Sequence, residues 1–385
     1  MRICLVSSSF YPATFYGGPI SATWDLSKKL AENDVEMYVS TTNANGLSRL
    51  EIENNRYLRK QDNLFVKYYH EELINKFSLS FLFGIFNDIK KSDVVYIQYL
   101  FHYTSIISLI ISVFQSKKII ICPRGSLGEW GLQFKRKNLK KLWLFIFVNP
   151  FIKDVIFQAS SYIEKKDILR KYPNVKVEII NDGVDFNTFQ NAEKKSRIEI
   201  VKKYTKIDFD EVSNIFFSMG RLHKIKRFDI LINAFEIYLK KDKDAKLIIA
   251  GGDDGMKVKL KQQILELKLN NSVFVIGEVD FKHKKILLSN SDYFVLASEF
   301  ESFGIVIAEA LACGRPCVVS NKTPWRHLEM NNCGILVDNE KESIATGFSD
   351  IINKDFDSNK IKNYIKSNYD WGIIVSVFLK IIKKK

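Results

Sequence analysis

The sequence has few residues that could build a disulfide framework, and it has no apolar run long enough to cross a bilayer. Its five cysteines are an odd number without a C-x-x-C pair: Cys4, Cys122, Cys313, Cys317 and Cys333. This pattern indicates reduced core cysteines rather than disulfides or a zinc site.

The most apolar internal stretch, 106–114, falls well short of the roughly 20 residues that a membrane span needs. Residues 3–6 predict a buried strand, not a signal peptide. We therefore expect a cytoplasmic chain without a transmembrane helix.

Acidic residues are under-represented relative to basic ones. The chain has 58 Lys and Arg against 44 Asp and Glu, a formal net charge of +14 and a pI near 9.3. The basic excess, which we expect to be spread along the whole sequence, favours an anionic partner: a phosphorylated substrate, an acidic membrane surface or nucleic acid. A lysine-rich composition that only keeps the protein soluble explains the charge equally well. Because no recognised nucleic-acid-binding motif is present, we expect no nucleic-acid partner.

Short apolar runs alternate with helical stretches along the chain, which is typical of βαβ units and parallel sheets. Strands are predicted at 3–6, 35–40, 94–99, 118–122, 155–159, 175–180, 215–219, 246–250, 273–276, 293–297, 316–320 and 334–337. Helices are predicted at 21–32, 227–239, 256–269, 282–288 and 304–313. The 385 residues suit two domains, and the polar segment 190–211 is predicted to connect them. We therefore predict an α/β fold with two doubly wound lobes facing across a cleft.

The segment from Ser298 to Pro316 carries the most specific pattern. It follows a predicted strand, so it lies at a carboxyl end, where open α/β sheets bind ligands. Glu309 is the only charged residue of a predicted helix that is otherwise apolar from Ile305 to Ala312, and such a helix is buried. A buried carboxylate needs donors, which two ribose hydroxyls would supply; the alternative is a structurally paired glutamate. The backbone N–H groups at the helix start suit a diphosphate, and Glu301 could then reach sugar hydroxyls.

This segment resembles the signature of family-four retaining glycosyltransferases of the GT-B fold, the glycosyl transferases group 1. The resemblance covers essentially the whole chain and implies that Glu301 contacts the donor sugar while Glu309 holds the ribose. It implies donor contacts along the segment, at Glu301, Ser302, Phe303, Gly304, Ile305 and Glu309. It also implies an N-terminal acceptor-binding domain at 1–190, a donor domain at 191–365 and a C-terminal helix at 366–385 that returns to the first lobe.

A second motif, Gly220-Arg221-Leu222 followed by Lys226, comes after the first strand of the predicted second lobe. It resembles the family element whose Arg and Lys bind the donor diphosphate. A leaving diphosphate gains negative charge as the glycosidic bond breaks, and fixed cations can stabilise that charge without a metal. Relatives often have Gly after this Lys, whereas this chain has Arg227. A solvated basic turn is the alternative interpretation.

Three motifs of the first lobe give weaker signals. Gly17 and Gly18 resemble the family's glycine loop, which faces the donor phosphates, although their spacing is not that of a dinucleotide fingerprint. Arg124 stands where many relatives have His and others Arg, and it stays protonated, so it cannot act as a base. His102 is a further candidate for lining the acceptor site, with an ordinary loop histidine as the favoured alternative. No general base can be inferred, which fits a mechanism in which the leaving phosphate accepts the acceptor's proton.

The remaining turns predict structural roles. Asp182 replaces the Asn of the family's Asn-Gly-Val-Asp turn, which closes the first lobe. Asp253 and Asp254 follow two glycines at a strand end and predict a turn beside the donor base rather than a metal site. Gly277 and Glu278 end the next strand and are expected to line the same base pocket. We expect no metal and no cofactor other than the sugar nucleotide itself, of UDP or GDP type.

The stretch 134–153 mixes lysines and an arginine with leucines, Trp143 and phenylalanines. Such a segment could lie on an anionic bilayer beside a lipid-linked acceptor, or it could be a helix with a buried apolar face and a solvated basic face.

We therefore predict a retaining glycosyltransferase, with Arg221, Lys226 and Glu301 as catalytic residues. It would transfer sugar to a glycan or lipid-linked acceptor in surface polysaccharide or lipopolysaccharide assembly, with a peripheral position on the membrane. The alternatives are a catalytically silent glycan- or membrane-binding module on the same fold, or another GT-B enzyme such as a glycan synthase.

Overall fold

The computed structural model describes residues 1–73, 77–133, 137–153 and 155–383, and it divides the chain into two units. The first unit is Met1–Gly183 with Trp371–Lys385, and the second is Val184–Asp370. The chain thus crosses between units at 183/184 and 370/371, rather than at the predicted 190/191 and 365/366. The reason is that both flanking stretches pack within the second unit: the Val184 N–H donates to the Tyr369 carbonyl oxygen (2.8 Å), and both side chains join its core.

In the described part of the first unit, eight strands form a sheet in the order β10-β9-β8-β7-β1-β2-β6-β5, parallel except for β5 against β6. Their bounds are β1 Arg2–Val6, β2 Glu36–Thr42, β5 Tyr57–Gln61, β6 Leu64–Tyr69, β7 Val94–Gln98, β8 Lys118–Cys122, β9 Val155–Ala159 and β10 Lys176–Ile179, with a small ribbon of β3 Ala44–Asn45 and β4 Ser48–Arg49. The helices are α1 Gly18–Ala31, α2 Leu79–Lys90, α3 Tyr103–Phe114, α4 Glu129–Gln133, α5 Lys137–Phe147, α6 Tyr162–Lys171 and α14 Trp371–Lys383.

In the described part of the second unit, six parallel strands form a sheet in the order β13-β12-β11-β14-β15-β16. Their bounds are β11 Ile215–Met219, β12 Lys246–Ala250, β13 Val273–Gly277, β14 Tyr293–Leu296, β15 Cys317–Ser320 and β16 Gly334–Val337. The helices are α7 Arg197–Thr205, α8 Phe228–Leu239, α9 Lys257–Glu266, α10 Phe281–Asn290, α11 Ile305–Ala312, α12 Lys341–Asn353 and α13 Ser358–Tyr369. Buried apolar clusters pack against the sheet, as expected for parallel strands that helices cover.

The segment that the sequence suggested as a connection, 190–211, contains a helix. Ser196 begins α7 with a capping box: its hydroxyl accepts the Glu199 N–H, and the Glu199 carboxylate accepts the Ser196 N–H. Ile200 and Val201 are fully buried in the core of the second unit. The prediction of a plain connection was therefore wrong here, because two adjacent apolar residues are enough to dock a short polar helix.

Each sheet has one switch point: a pair of neighbouring strands from which the chain continues toward opposite edges of the sheet. In the second unit this place lies between β11 and β14, since β12 and β13 continue on one side and β15 and β16 on the other. In the first unit it lies between β1 and β7. Open α/β sheets bind ligands at the carboxyl ends of such strands. Within the described ranges, no helix is both long enough and apolar enough to cross a bilayer.

Candidate functional site

Two of the predicted site residues meet at the switch point of the second sheet. Lys226 lies in the loop after β11 and Glu301 in the loop after β14, and the Lys226 ammonium donates to Glu301 Oε1. Ser298 Oγ donates to the same oxygen at 2.7 Å. The side chains of Lys226 and Glu301 are only 16% and 12% exposed. An ion pair this far from water interacts more strongly than a surface pair, and it sits where this fold places ligands.

The loop that presents Lys226 is shaped by its backbone. Lys224–Lys226 form a 3-10 turn, and Nδ1 of the preceding His223 accepts the Ile225 N–H. Arg227 follows with φ +52°, in the left-handed region that glycine adopts most easily. This conformation explains physically why a glycine suits position 227. Arg227 instead carries a guanidinium that lies 3.5 Å from the Glu299 carboxylate.

A hydrogen bond joins the two loops directly. The Glu299 N–H donates to the Ile225 carbonyl oxygen at 2.8 Å. The Glu299 carboxylate also accepts from Asn339 Nδ2 at 3.0 Å. The first bond fixes the spacing between the loops after β11 and β14 and so helps to hold Lys226 and Glu301 in contact, while Asn339 anchors Glu299 to the loop after β16.

Arg221 lies in the same loop as Lys226 but points to a different partner. Its Nη1 lies 2.6 Å from Asp254 Oδ2, and both side chains are substantially exposed. Asp253 Oδ1 accepts the N–H groups of Gly255 and Lys257, both at 3.1 Å, and so forms the turn before α9. The aspartate pair is therefore occupied by a turn and an ion pair, and the described residues contain no group of three His, Cys, Asp or Glu suited to a metal.

Three glycines lie at the neighbouring ends of β11, β12 and β13: Gly220, Gly251 and Gly277. A Cβ on Gly251 would lie 1.8 Å from the Gly220 carbonyl oxygen, so only glycine fits there. Gly277 ends β13 with φ +83°, its carbonyl oxygen accepts the Gly251 N–H at 2.7 Å, and a Cβ on it would meet nothing within 4 Å. Glu278 follows, with Oε2 3.5 Å from where a Cβ on Gly252 would lie.

The predicted anion site at the start of α11 is built around a buried aromatic residue. Phe303 packs against Trp325 and Tyr369, and Trp325 Nε1 donates to the Phe303 carbonyl oxygen at 2.7 Å. Gly304 has φ +84°, and a Cβ there would come within 3.0 Å of Ile307 Cδ1. The helix begins at the next residue, Ile305. Its N-cap residue, Gly304, has no side chain that could accept a hydrogen bond from the first turn. Ser302 and Ile305 are both partly buried on either side of this turn.

The carboxylate of Glu309 is paired. Glu309 is buried on α11, and Lys284 Nζ from α10 lies 2.6 Å from its Oε1. This pairing is the alternative that the sequence left open, and α10 supplies a cation that the sequence pattern did not indicate. A paired carboxylate can still accept hydroxyl hydrogen bonds, so the predicted ribose contact stays a prediction.

The first-unit glycines form the entrance to α1. Gly17 has φ +77° and is the N-cap, and Gly18 is the first residue of the helix, which follows β1. These positions are at the carboxyl edge of the first sheet, next to its switch point. Their predicted contact with donor phosphates stays a prediction.

Arg124 is enclosed within the first unit. Its Nη1 donates to both Asp182 carboxylate oxygens (2.5 and 2.7 Å), its Nε to Gln98 Oε1 (3.0 Å) and its Nη2 to Thr23 Oγ1 (3.3 Å). The side chain is 1% exposed. The guanidinium ties the ends of β7 and β8 to α1 and to the turn that closes the unit, and the predicted place of Arg124 at an acceptor site stays a prediction. These contacts also explain why an acidic residue stands at position 182.

His102 is the N-cap of α3. Its Nδ1 lies 2.8 Å from Thr104 Oγ1 and accepts the Thr104 N–H at 3.4 Å. Burial lowers the pKa of His102 to about 4, so the imidazole is neutral at pH 7 and is a weak base. The geometry gives His102 a capping role at the start of α3, and its predicted place at an acceptor site stays a prediction.

The low pKa of His102 predicts that the stability of the protein depends on pH. The unfolded chain takes up a proton near pH 6.5, whereas the folded chain does so only near pH 4. Stability should therefore fall as the pH drops from about 6.5 to about 4. Urea unfolding midpoints at pH 7 and pH 5 check this expectation, with His102→Asn as the comparison, because Asn caps a helix without titrating. Equal pH slopes for both proteins would rule out this linkage.

The sequence missed two polar partners of the site, Ser298 and Lys284. In the sequence, Ser298 is a serine next to the Glu301 motif at the end of a predicted strand, and no role was predicted for it. Lys284 is one of several lysines in 282–285, and no sequence spacing singles it out. The Ser298–Glu301 bond is local to the loop after β14, whereas the Lys284–Glu309 pair depends on how α10 packs against α11.

Comparison with known proteins identifies a family domain in the second unit. Residues 201–368, within the unit that holds the Lys226–Glu301 pair, match the family model of glycosyl transferases group 1. The chain is therefore a glycosyltransferase that carries the group 1 domain. An uncharacterised glycosyltransferase of Methanocaldococcus jannaschii is 24% identical over 404 aligned positions, covering 100% of this chain and 99% of that protein.

Two further relatives are informative for this glycosyltransferase. The alpha-monoglucosyldiacylglycerol synthase of Streptococcus pneumoniae is 28% identical over 183 residues, which span 46% of this chain and only 40% of the synthase. Among solved structures, Anabaena HepE in complex with UDP-glucose superposes with a TM-score of 0.74 at 19% identity, covering 99% of both chains. The glycosyltransferase thus has the GT-B fold, with two Rossmann-like units. The match of its second unit to an enzyme family domain weighs against the alternative of a silent binding module.

Proposed function

We propose that this glycosyltransferase moves a sugar from a nucleoside diphosphate donor to an acceptor hydroxyl with retention of the anomeric configuration. The observation that carries the proposal is the Lys226–Glu301 contact at the switch point of the second sheet. A cation and a carboxylate held together there suit the two groups that a sugar–phosphate bond joins. The ammonium would bind the diphosphate, and the carboxylate would bind a sugar hydroxyl.

The residues around this pair stabilise the charge that develops on the leaving group. As the anomeric carbon–oxygen bond breaks, the electron pair stays on the diphosphate oxygen. Lys226, Arg221 and the N–H groups at the start of α11 would then face that oxygen with fixed positive charge. Glu301 exchanges its contact with Lys226 for a sugar hydroxyl, and so orients the ring. This arrangement provides charge stabilisation without a metal ion, and we propose that no metal takes part.

The acceptor's proton needs a destination, because the new bond forms to its oxygen. Arg124 is always protonated, and His102 is a weak base tied to its helix. We propose that the departing phosphate oxygen takes this proton on the same face of the sugar from which it leaves. The acceptor oxygen then bonds to the anomeric carbon on that face, which gives retention.

The relatives suggest substrate classes. HepE binds UDP-glucose, and the Streptococcus pneumoniae synthase is named for a glucosylated lipid. We therefore propose a UDP-type sugar donor, with a GDP-type donor as the second choice, and a glycan or lipid-linked acceptor. Surface polysaccharide or lipopolysaccharide assembly on the cytoplasmic side of a membrane is the setting we propose.

Nucleotide binding tests the proposal, with Glu309 as the discriminating residue. Thermal shifts with UDP, GDP and other nucleoside diphosphates should select one base, and mass spectrometry should then detect transfer or hydrolysis of the matching sugar nucleotide. Glu309→Ala should raise the Kd of the selected nucleotide at least about tenfold, since it removes a charged hydrogen-bond acceptor.

A matched pair of variants separates binding from packing. Lys284→Ala removes the partner of Glu309 but leaves the carboxylate, so the nucleotide should bind far better to it than to Glu309→Ala. The exposed Glu342→Ala on α12 is the control for removing a carboxylate from the same unit. If Lys284→Ala and Glu309→Ala lose nucleotide equally, Glu309 acts only through its ion pair and the assignment to ribose is wrong.

A further inference from the structure

The positive charge of the molecule is concentrated in one unit. The first unit has 29 Lys and Arg against 17 Asp and Glu, whereas the second has 29 against 27. The expectation of a sequence-wide excess is therefore wrong. Within the first unit, residues 117–153 alone hold nine basic residues and a single acidic one. Any anionic partner that uses this charge should meet the first unit.

Helix α5 lies in that basic stretch and presents apolar side chains to solvent. Leu139, Leu142 and Ile146 are spaced by three and four residues, so they share one face of the helix. They are 54%, 52% and 45% exposed, and the adjoining Phe145 is 69% exposed. Leu144, on the opposite side, is fully buried in the core. Within 137–147, the sequence-based alternative of a buried apolar face with a solvated basic face accounts for Trp143 and Leu144 but not for the apolar residues that are outside.

Lysines border this apolar face. Lys141 is exposed one helical turn before Phe145, and Lys137 is exposed one turn before Lys141. Lys140 lies elsewhere: its ammonium donates to the Gly131 carbonyl oxygen (2.6 Å) and sits over the Phe101 ring. An outward apolar stripe bordered by exposed lysine side chains matches the chemistry of an anionic bilayer surface, where phosphates lie just above hydrocarbon.

We propose that the outer face of α5, formed by Leu139, Leu142, Phe145 and Ile146 with Lys137 and Lys141 at its edge, docks on an anionic lipid bilayer. The apolar side chains enter the boundary between headgroups and acyl chains, and the two ammonium groups meet lipid phosphates. A second copy of the chain would satisfy the apolar stripe but not the charge, since both copies would carry the same excess.

The docking face lies beside the carboxyl edge of the first sheet. Trp143 of α5 donates from Nε1 to the Leu100 carbonyl oxygen at 3.0 Å, and Leu100 is in the loop that follows β7. That loop leaves the sheet at its switch point. A bilayer bound to α5 is therefore close to the edge where this unit would receive an acceptor. This last step rests on the proposed function, and it favours a lipid-linked acceptor over a soluble glycan.

Vesicle binding of the full-length protein tests the docking surface without any substrate. The protein should co-sediment with vesicles that contain anionic phosphatidylglycerol, but only weakly with pure phosphatidylcholine. Binding should fall in 0.5 M salt, where charges are screened within a few ångströms. Leu142→Ser with Phe145→Ser should lower the partition coefficient at least about tenfold, because two apolar side chains no longer enter the lipid. Lys137→Glu with Lys141→Glu should abolish the preference for anionic lipid.

The second unit offers a matched control. Helix α9 is also rich in lysine and carries the exposed Val258 and Leu265, so Val258→Ser with Leu265→Ser makes the same chemical change on the other unit. This control should bind vesicles like the unchanged protein. Equal binding by all variants would overturn the proposal, as would concentration-dependent dimerisation that Leu142→Ser with Phe145→Ser removes. Nucleotide affinity, measured in parallel, should be unchanged in the α5 variants, so loss of docking is distinguishable from failure of the proposed function.

Discussion

Replacing Lys226 by alanine is expected to lower kcat about 10²–10³-fold, which corresponds to about 2.7–4 kcal/mol of transition-state stabilisation. The ammonium is largely shielded from water and is held against Glu301 by the loops after β11 and β14. In such a site, a fixed charge acts strongly on the negative charge that develops as the diphosphate departs. Nucleotide binding should weaken less than turnover, because the ground state carries less charge at the bond that breaks.

The test is the steady-state kinetics of transfer, once the donor is identified, together with the Kd of the free nucleotide. Lys224→Ala is the matched control, since Lys224 lies on the same 3-10 turn but is exposed. It should change kcat by no more than a few fold. Lys226→Arg should not restore full activity, because a planar guanidinium cannot take the place of a compact ammonium in this contact. Normal turnover by Lys226→Ala would show that the reaction takes place elsewhere.

Much of the fold was predictable because the strands at the centre of each sheet are buried on both faces. Ile119, Ile120 and Ile121 of β8, for example, are all buried, so the strand is a continuous apolar run in the sequence. The antiparallel hairpin of β5 and β6 was missed. Its outer strand β5 is polar and half-exposed, and its turn depends on Asn63 in the left-handed region. An edge strand of this kind has no apolar run to reveal it.

The site was predictable in its anchors but not in its pairings. Glu301 and Lys226 were singled out by motifs that follow strands, and parallel topology brings the ends of β11 and β14 together. The partners Lys284 and Asp182 could not be assigned in advance. Lys284 on α10 and Asp182 after β10 reach Glu309 and Arg124 only through tertiary packing. Glu309 was predicted either to bind ribose or to be structurally paired, and Arg124 was considered without a partner; in the structure each has one. A buried charge in a sequence therefore predicts a partner better than it predicts a ligand.

The Arg124–Asp182 pair gives the largest effect expected on stability. Asp182→Ala would leave the Arg124 guanidinium buried without its carboxylate, while Gln98 and Thr23 provide only neutral acceptors. Breaking a buried pair by removing one partner costs about 3–5 kcal/mol. For a protein unit of this size, that loss should lower the midpoint of thermal unfolding by roughly 6–20 °C.

Two comparisons make the Asp182 prediction specific. Glu32→Ala breaks the exposed Lys29–Glu32 pair of the same unit, and it should cost less than about 1 kcal/mol because water already solvates both charges. Arg124→Met combined with Asp182→Ala removes the stranded charge as well, so it should be more stable than Asp182→Ala alone even though it lacks more hydrogen bonds. If the double variant is the less stable of the two, the hydrogen bonds of Arg124 to β7 and α1, rather than the charge of Asp182, hold this edge of the unit together.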